Sequence, residues 1–385
     1  MSRIIYVAHY SDPHRNAERL SAPAAISKMD YLIGVMKDLG HEVEVWSLCE
    51  INERTGLLTK SPASRGEING VPIRFFDRYS SRYKLIRGLL LRYSEMKIRR
   101  EMSRGIKKGD KVVVYHSLSS LHVLRKLRSM GVPFILEAEE IYSDVIGDRK
   151  LRRRELRHMR MADAYILPTA LLSPEVNPGG RPEAIVHGVY RSEPKLDIIK
   201  FGDMPGERRI HCVYAGTFDP RKGGAAAAVL AAEKLPEDHH VHIIGFGTEK
   251  DTAEIKAMIA EVSKRSAAKL TYDGLLQGED YKRFLQSCDI GLSTQIPDAA
   301  FSGTSFPSKI LSYLSNGLRV VSVRVPAVET SAIGGSIGYY DEQTPQSIAD
   351  AIMRVDVNDG HDPREELRRL SEDFAKDLKK VLESV

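Results

Sequence analysis

Three loops in the second half of the chain hold residue types suited to a phosphate-rich ligand. The first runs Ala215-Gly216-Thr217-Phe218-Asp219-Pro220-Arg221-Lys222-Gly223-Gly224 and opens an alanine-rich stretch. Gly216 lets backbone come close to a ligand. Arg221 and Lys222 fall beside an expected helix start, where free N–H groups and the helix dipole favour an anion. The alternative is a surface turn with solvated cations, because the run is not the Gly-x4-Gly-Lys-Ser/Thr phosphate loop. The second loop holds Gly245-Phe246-Gly247. A dinucleotide fingerprint needs a further glycine where Lys250 stands, so these glycines are expected to allow close packing of a strand end on its neighbouring loop. The third loop runs from Phe301 to Gly317. Thr304 or Ser305 is placed to cap a helix, Pro307 suits its first turn, and Gly317 suits its stop. Ser308 and the Lys309 ammonium gather at that start. Two such helix starts in one domain favour a diphosphate.

The first half offers Glu137-Ala138-Glu139-Glu140-Ile141-Tyr142 directly after a strand-like run. Glu139 or Glu140 is placed to act as a general base if the chemistry needs one. A solvated acidic loop is the plain alternative. His116 and the loop from Ser11 to Ser21 are further acceptor-site candidates, although a lone histidine is more often a satisfied loop residue.

These loops need strands to hold them. Strands are expected at 4–8, 43–46, 111–115, 134–137, 164–167 and 184–186, with a helix at 26–39. The second half repeats the style, with strands at 210–214, 240–244, 270–272, 290–293 and 320–323. Its helices are expected at 222–234, 252–263, 280–286, 307–316 and 345–354. Alternating strands and helices imply an α/β protein with two Rossmann-like parallel-sheet domains. The expected organisation is an N-terminal domain at 1–192, a linker at 193–208, a second domain at 209–360 and a C-terminal helix at 361–385. That helix shows Leu367, Leu370, Phe374, Leu378 and Val381 on one face, and is expected to pack back across the domains. Ligands of such sheets lie at the carboxyl ends of strands, here facing an interdomain cleft.

Composition narrows the possibilities. The 385 residues are 42% hydrophobic and 28% charged, which excludes a disordered or low-complexity chain. Three well-separated cysteines, Cys49, Cys212 and Cys288, argue against a disulfide framework or a zinc ribbon and fit a reducing cytoplasm. No secretory leader or membrane-spanning run is expected. Residues 1–200 carry a net +11 and residues 201–385 a net −6, so the halves are expected to meet different partners. Most of the excess lies in residues 78–108, where eleven Lys or Arg mix with Leu85, Leu89, Leu90 and Met96. Basic amphipathic helices suit an anionic membrane surface, and a solvated helix face is the alternative. Nucleic acid is not expected, because stacking platforms and known motifs are missing.

The second half resembles the donor domain of nucleotide-sugar-dependent glycosyltransferases of the GT-B fold, in the group-one, family-four-like branch. The matching stretches are "VYAGTFDPRKGG", "VHIIGFGTEK", "LTYDGLLQGEDYKRFLQSCDIGLS" and "FPSKILSYLSNGLRVVSV". "HEVEVWSL", "VYHSLSSLHVL" and "AIVHGVY" extend the likeness more loosely into the first half. The resemblance implies that Gly216 lies beside the donor pyrophosphate and that Lys222 neutralises it, with Arg221 and Gly245 nearby. It implies a nucleobase held by backbone near Gly274, Leu275 and Leu276. Ser308 and Lys309 become the expected contacts to diphosphate and sugar, with Thr304, Ser305 and Ser312 completing the donor set. The family often has two glutamates where Thr304 and Ser312 stand, and an arginine where Thr217 stands.

The implied activity is transfer of a sugar from a nucleotide-diphosphate donor, a UDP-sugar above all, to a lipid-linked or glycan acceptor in polysaccharide biosynthesis. No cofactor is expected. No Asp-x-Asp pair occurs, so metal-independent departure assisted by Lys222 and Lys309 is favoured. His239, His240 and His242 lie on one strand and are expected to face solvent and core alternately rather than bind metal. Glu140, Glu139 and His116 are the catalytic candidates. A cytoplasmic enzyme, peripheral at the inner face of the membrane, is expected. A nucleotide-sugar epimerase of the same architecture and a non-catalytic partner subunit are the alternatives.

Overall fold

Runs of Val, Ile and Tyr form two large sheets, one in each compact unit of the chain, and a small two-stranded sheet of Thr59–Ser61 with Arg78–Ser80 lies in the first. The computed structural model describes residues 2–12, 16, 18–20, 23–207, 209–296 and 306–385. One unit comprises Met1–Val189 with Asp373–Val385, and the other Tyr190–Glu372.

The second unit is built on six parallel strands in the spatial order Lys269–Gly274, His239–Phe246, Ile210–Thr217, Ile290–Ser293, Arg319–Val323, Ile337–Tyr340. In chain order this is 3-2-1-4-5-6, the doubly wound arrangement. The order reverses between Ile210–Thr217 and Ile290–Ser293. Their connections leave in opposite directions there and open a crevice at the carboxyl ends. The start of the expected linker packs on this unit: Gln286 donates to Pro194 O and accepts from Leu196 N, each at 2.9 Å.

The first unit has an eight-stranded sheet in the order Glu183–Ile185, Ala164–Leu167, Ile135–Glu137, Lys111–Tyr115, Arg3–Ala8, Glu42–Ser47, Val71–Phe75, Ser64–Ile68. All pairs are parallel except the last. That edge hairpin turns through Asn69 (φ 52°) and Gly70 (φ 72°), as a tight primed turn requires. The switch point lies between Arg3–Ala8 and Lys111–Tyr115. The core includes Ile5, Val7, Trp46, Val112, Val114 and Leu136, all buried.

The C-terminal helix spans Pro363–Glu383. Within the second unit Arg364 donates to Asn316 O at 2.6 Å. Within the first unit Phe374 stacks on Tyr31, 6.0 Å between centroids, and Lys111 Nζ donates to Leu382 O at 2.6 Å. Among the described residues no helix is long and apolar enough to cross a membrane.

Three local expectations are corrected. Lys222 does not lie in a helix: Gly223 turns left-handed at φ 62° and the helix begins at Gly224. Pro307 is the cap rather than the first turn of the Ser308–Ser315 helix, with no side-chain capping bond to it. His239, His240 and His242 do not alternate between solvent and core. Their strand is inside a sheet covered on both faces, and all three are buried.

Candidate functional site

At the switch point of the second unit, Tyr313 fixes the Ser308–Ser315 helix to both central strands. Its hydroxyl accepts from Ala215 N at 2.9 Å and donates to Leu292 O at 3.2 Å. Gly291 makes room for this ring, since a Cβ there would lie 2.2 Å from it. Lys309 is four residues before Tyr313 and shares its helix face. Its Nζ stands 3.8 Å from the centroid of the Tyr214 ring and lies against Gly216. Gly216 in turn abuts Gly245, where a Cβ would sit 1.8 Å from Gly216 O. The two glycines thus let adjacent strand ends and a lysine occupy one small volume, the close packing expected of Gly245.

The electrostatics of this end are unbalanced. Burial pushes the Lys309 ammonium down to about 7, and the charge of Lys222 adds to the effect. Among the described residues no carboxylate forms an ion pair with either lysine. Arg221 is different. It donates to Asp219 through Nε and Nη2, at 3.0 and 2.8 Å, so its charge is matched inside its own loop. Asp219 is held down to about 2 by the same contact.

The other donor-side residues fall around this point or stand slightly apart. Thr217 is exposed, and its carbonyl accepts from Tyr214 OH at 3.0 Å. Ser308 is exposed at the first helical position. Ser312 is one turn on, 3.2 Å from Tyr281 OH. Gly274, at φ 87°, ends the edge strand Lys269–Gly274, with Leu275 half exposed beside Leu276. Tyr272, from that strand, donates to Gly245 O at 3.3 Å and so ties its end to the glycine pair. Thr304 and Ser305 lie outside the described residues.

In the first unit the switch point opens on a cavity of about 510 Å³, lined largely by apolar groups such as Met29, Tyr115, Tyr142, Val145 and Ile146, with His9 at its edge. The acidic loop lies beside these tyrosines. Glu139 forms an ion pair with Lys28 at 2.6 Å. Glu140 makes no ion pair among the described residues, and burial and then the charges of Glu139 and Glu155 raise its carboxyl above the ordinary range. Glu137 is fully buried and takes a hydrogen bond from Tyr6 OH. Burial and then Glu139 push it up to about 8.

His116 is fully buried, with Nε2 2.7 Å from Glu155 Oε1. Glu155 also accepts from the backbone N–H groups of Tyr142 and Ser143, both at 2.9 Å. These bonds satisfy the start of the Tyr142–Ile146 helix and fix the loop that carries Glu139 and Glu140. Reading the sequence alone overlooked Glu155. Its signal is a single acid on the apolar face of the Arg149–Met159 helix, beside Leu156 and Met159. Lys28 was overlooked as well, because its pairing with Glu139 across 111 residues leaves no local pattern.

Among the described residues one cluster has the side chains to ligate a metal: His211, His240 and His242, at the opposite end of the strands that carry Gly216 and Gly245.

The sequence matches no protein-family model and no curated protein. Solved structures do match along the full length. Anabaena Alr3699/HepE in complex with UDP is 13% identical, covering 100% of both chains with a TM-score of 0.67. A structure described as trehalose-6-phosphate from E. coli bound with UDP-2-fluoro glucose is 10% identical, covering 100% of this chain and 99% of that one, with a TM-score of 0.65. Sucrose-phosphate synthase from Thermosynechococcus elongatus is 15% identical, covering 99% and 95%, with a TM-score of 0.60. The fold is therefore the two-domain Rossmann-like GT-B fold.

Proposed function

We propose that the chain is a glycosyltransferase that takes a sugar from a nucleotide-diphosphate donor, with UDP as the nucleotide. The observation that supports this best is the Lys309 ammonium, partly buried against Gly216 at the mouth of the topological switch point, with no counter-ion among the described residues. A buried cation without a partner is costly in the free protein and becomes favourable once an anion arrives. The start of the Ser308–Ser315 helix adds backbone N–H groups that its cap residue, Pro307, does not satisfy with a side chain. Lys222 adds a second, solvated charge.

In this reading the bond between the anomeric carbon and the β-phosphate oxygen breaks as the acceptor hydroxyl forms the new bond. Negative charge grows on the departing diphosphate, and Lys309 and Lys222 stabilise it. If configuration inverts, Glu140 takes the acceptor proton, for which a carboxylate of raised pKa is the better base. Glu139, already paired with Lys28, orients the acceptor. His116 acts through Glu155 as a positioning group, because its ring is fully buried.

The solved structures with UDP and UDP-2-fluoro glucose support the nucleotide. The acceptor is proposed from this chain alone. The cavity of the first unit is apolar, which suits a lipid-linked or otherwise amphipathic glycan. The helix Lys84–Gly105 exposes Leu85, Leu89, Tyr93 and Met96 at spacings of four, four and three, and its buried residues are Ser94, Ile98 and Met102. The apolar ridge among cations is suited to an anionic membrane surface.

Calorimetric titration with UDP and GDP, followed by mass spectrometry of a nucleotide-sugar panel with and without acceptors, tests the proposal. Binding of UDP with donor consumption supports it. No nucleotide binding, or binding unchanged in Lys309→Met, overturns it. Tight UDP binding with no turnover of any donor favours the non-catalytic partner.

A further inference from the structure

His211 and His240 are register partners on the adjacent strands Ile210–Thr217 and His239–Phe246, and His242 lies two residues further along the same face. They are 2%, 4% and 4% exposed. One ring nitrogen of each lies within 4.8 Å of those of the other two. Phe201 packs on the rings of His211 and His242, at 5.1 and 5.3 Å between centroids. Five residues of strand, about 16 Å, separate His240 from Gly245, so this cluster is distinct from the anion site.

The protons of the three rings do not close on themselves. Asp273 Oδ2 only accepts, and it lies 3.1 Å from His242 Nδ1, so a neutral His242 keeps its proton there. Its Nε2 is then a bare lone pair, facing His211 Nδ1 at 2.9 Å. If His211 donates across that contact, its own Nε2 becomes a bare lone pair, buried without a hydrogen-bond partner among the described residues and 4.0 Å from the Glu207 carboxylate. His240 has the same problem. Thr271 gives its hydroxyl proton to Asp273 at 2.8 Å, so it must accept from His240 Nε2 at 3.0 Å. That leaves His240 Nδ1 bare, buried and without a partner among the described residues.

A cation among the rings resolves every one of these conflicts. We propose that His211, His240 and His242 bind one divalent transition-metal ion, zinc in the first place, through His211 Nδ1, His240 Nδ1 and His242 Nε2. The opposite nitrogens then all carry their protons: His240 donates to Thr271 and His242 to Asp273, and the His211 N–H is 4.0 Å from the Glu207 carboxylate, close enough for charge attraction. Imidazole ligands whose second nitrogen is held by a carboxylate or hydroxyl are the usual surroundings of such an ion. Zinc–nitrogen bonds of about 2.0–2.1 Å set ligand nitrogens about 3.4 Å apart, so the rings need shifts of only about an ångström. The ion clamps two neighbouring strands directly, and a third through Asp273. It serves the stability of the second unit rather than the transfer step.

The full chain, stripped with a chelator, is titrated with Zn²⁺ and separately with Co²⁺. The expected results are one ion per chain, intense visible bands of low-coordinate cobalt, and a melting temperature several degrees higher with zinc. His242→Ala should weaken binding at least tenfold, and exposed His361→Ala should leave it unchanged. Should His242→Ala fail to fold by circular dichroism, His240→Gln, similar in size and still able to reach Thr271, should give the same loss. Zinc bound equally well by His240→Gln, a hydrated six-coordinate cobalt spectrum, or no binding of either ion to the stripped chain overturns the proposal. All these readouts are independent of nucleotide binding.

Discussion

Lys309 crosses Gly216 so closely that a Cβ added to the glycine would lie 2.4 Å from Nζ. The lysine has an aromatic face beside it and no acid among the described residues, so its charge depends on what else arrives. In the free chain it titrates near 7 instead of near 10.5. Between those values the unfolded chain holds a proton that the folded chain has released, so this group makes stability rise with pH from about 7 to about 10.5. Lys309→Met should remove that slope and raise the melting temperature of the free chain at pH 6.

A diphosphate reverses the preference. Binding should take up a proton above pH 7, and UDP affinity should fall there by up to about tenfold per pH unit. Lys309→Met should weaken UDP about 10- to 100-fold and flatten the pH dependence, as expected for loss of a charge-assisted contact. Titrations in buffers of different ionisation enthalpy count the proton directly. Unchanged affinity across pH 6–9 would refute this picture.

Gly216 and Gly245 should separate stability from binding. At Gly245 an added Cβ meets backbone, Gly216 O at 1.8 Å, and φ is 134°. Gly245→Ala should therefore destabilise the second unit by about 2 kcal/mol or more, read from denaturant unfolding. At Gly216, φ is also positive at 156°, but the atoms an added Cβ meets are the far end of a flexible lysine rather than backbone. Gly216→Ala should cost less stability and more UDP affinity, because Lys309 is the group displaced.

Glu140 and Glu155 should differ in the same way. Glu140 carries a raised pKa and no ion pair among the described residues, so Glu140→Gln should fold normally and lower kcat about 10²- to 10⁴-fold if it is the base. The acid limb of the pH profile should vanish with it. Glu155 holds His116 and two backbone N–H groups. Glu155→Ala leaves those donors buried and should cost about 3 kcal/mol of stability. Glu155→Gln, which still accepts hydrogen bonds, should recover much of it.

What the sequence showed and hid follows from the range of each interaction. Apolar runs such as Ile290 to Ser293 marked strands whose bounds the structure keeps, because a strand buried on both faces needs nothing but apolar side chains. The Asn69-Gly70 hairpin was passed over although its turn is a strong local signal, since its flanking strand Ser64–Ile68 is almost wholly exposed and shows no apolar pattern. Lys309 was legible as a residue at a helix start. Its position against Gly216, far away along the chain, comes from strand order, which no local spacing encodes. The histidines at 240 and 242 were read along their own strand, and His211, their missing member, sits one strand away.

The ridge formed by Leu85, Leu89, Tyr93 and Met96 gives the last test. These side chains are 87%, 67%, 45% and 53% exposed, an unusual cost for a helix facing only water. Around them the 78–108 segment holds eleven cations and two acids. Each cation near an anionic bilayer contributes about 1 kcal/mol, and the contribution fades as salt screens it. Co-sedimentation with vesicles containing anionic lipid should therefore fall as salt rises. Leu85→Asp with Leu89→Asp should abolish it even at low salt, while UDP binding by the second unit stays unchanged. Equal sedimentation with neutral and anionic vesicles, or no effect of the double variant, would leave the ridge without a membrane role.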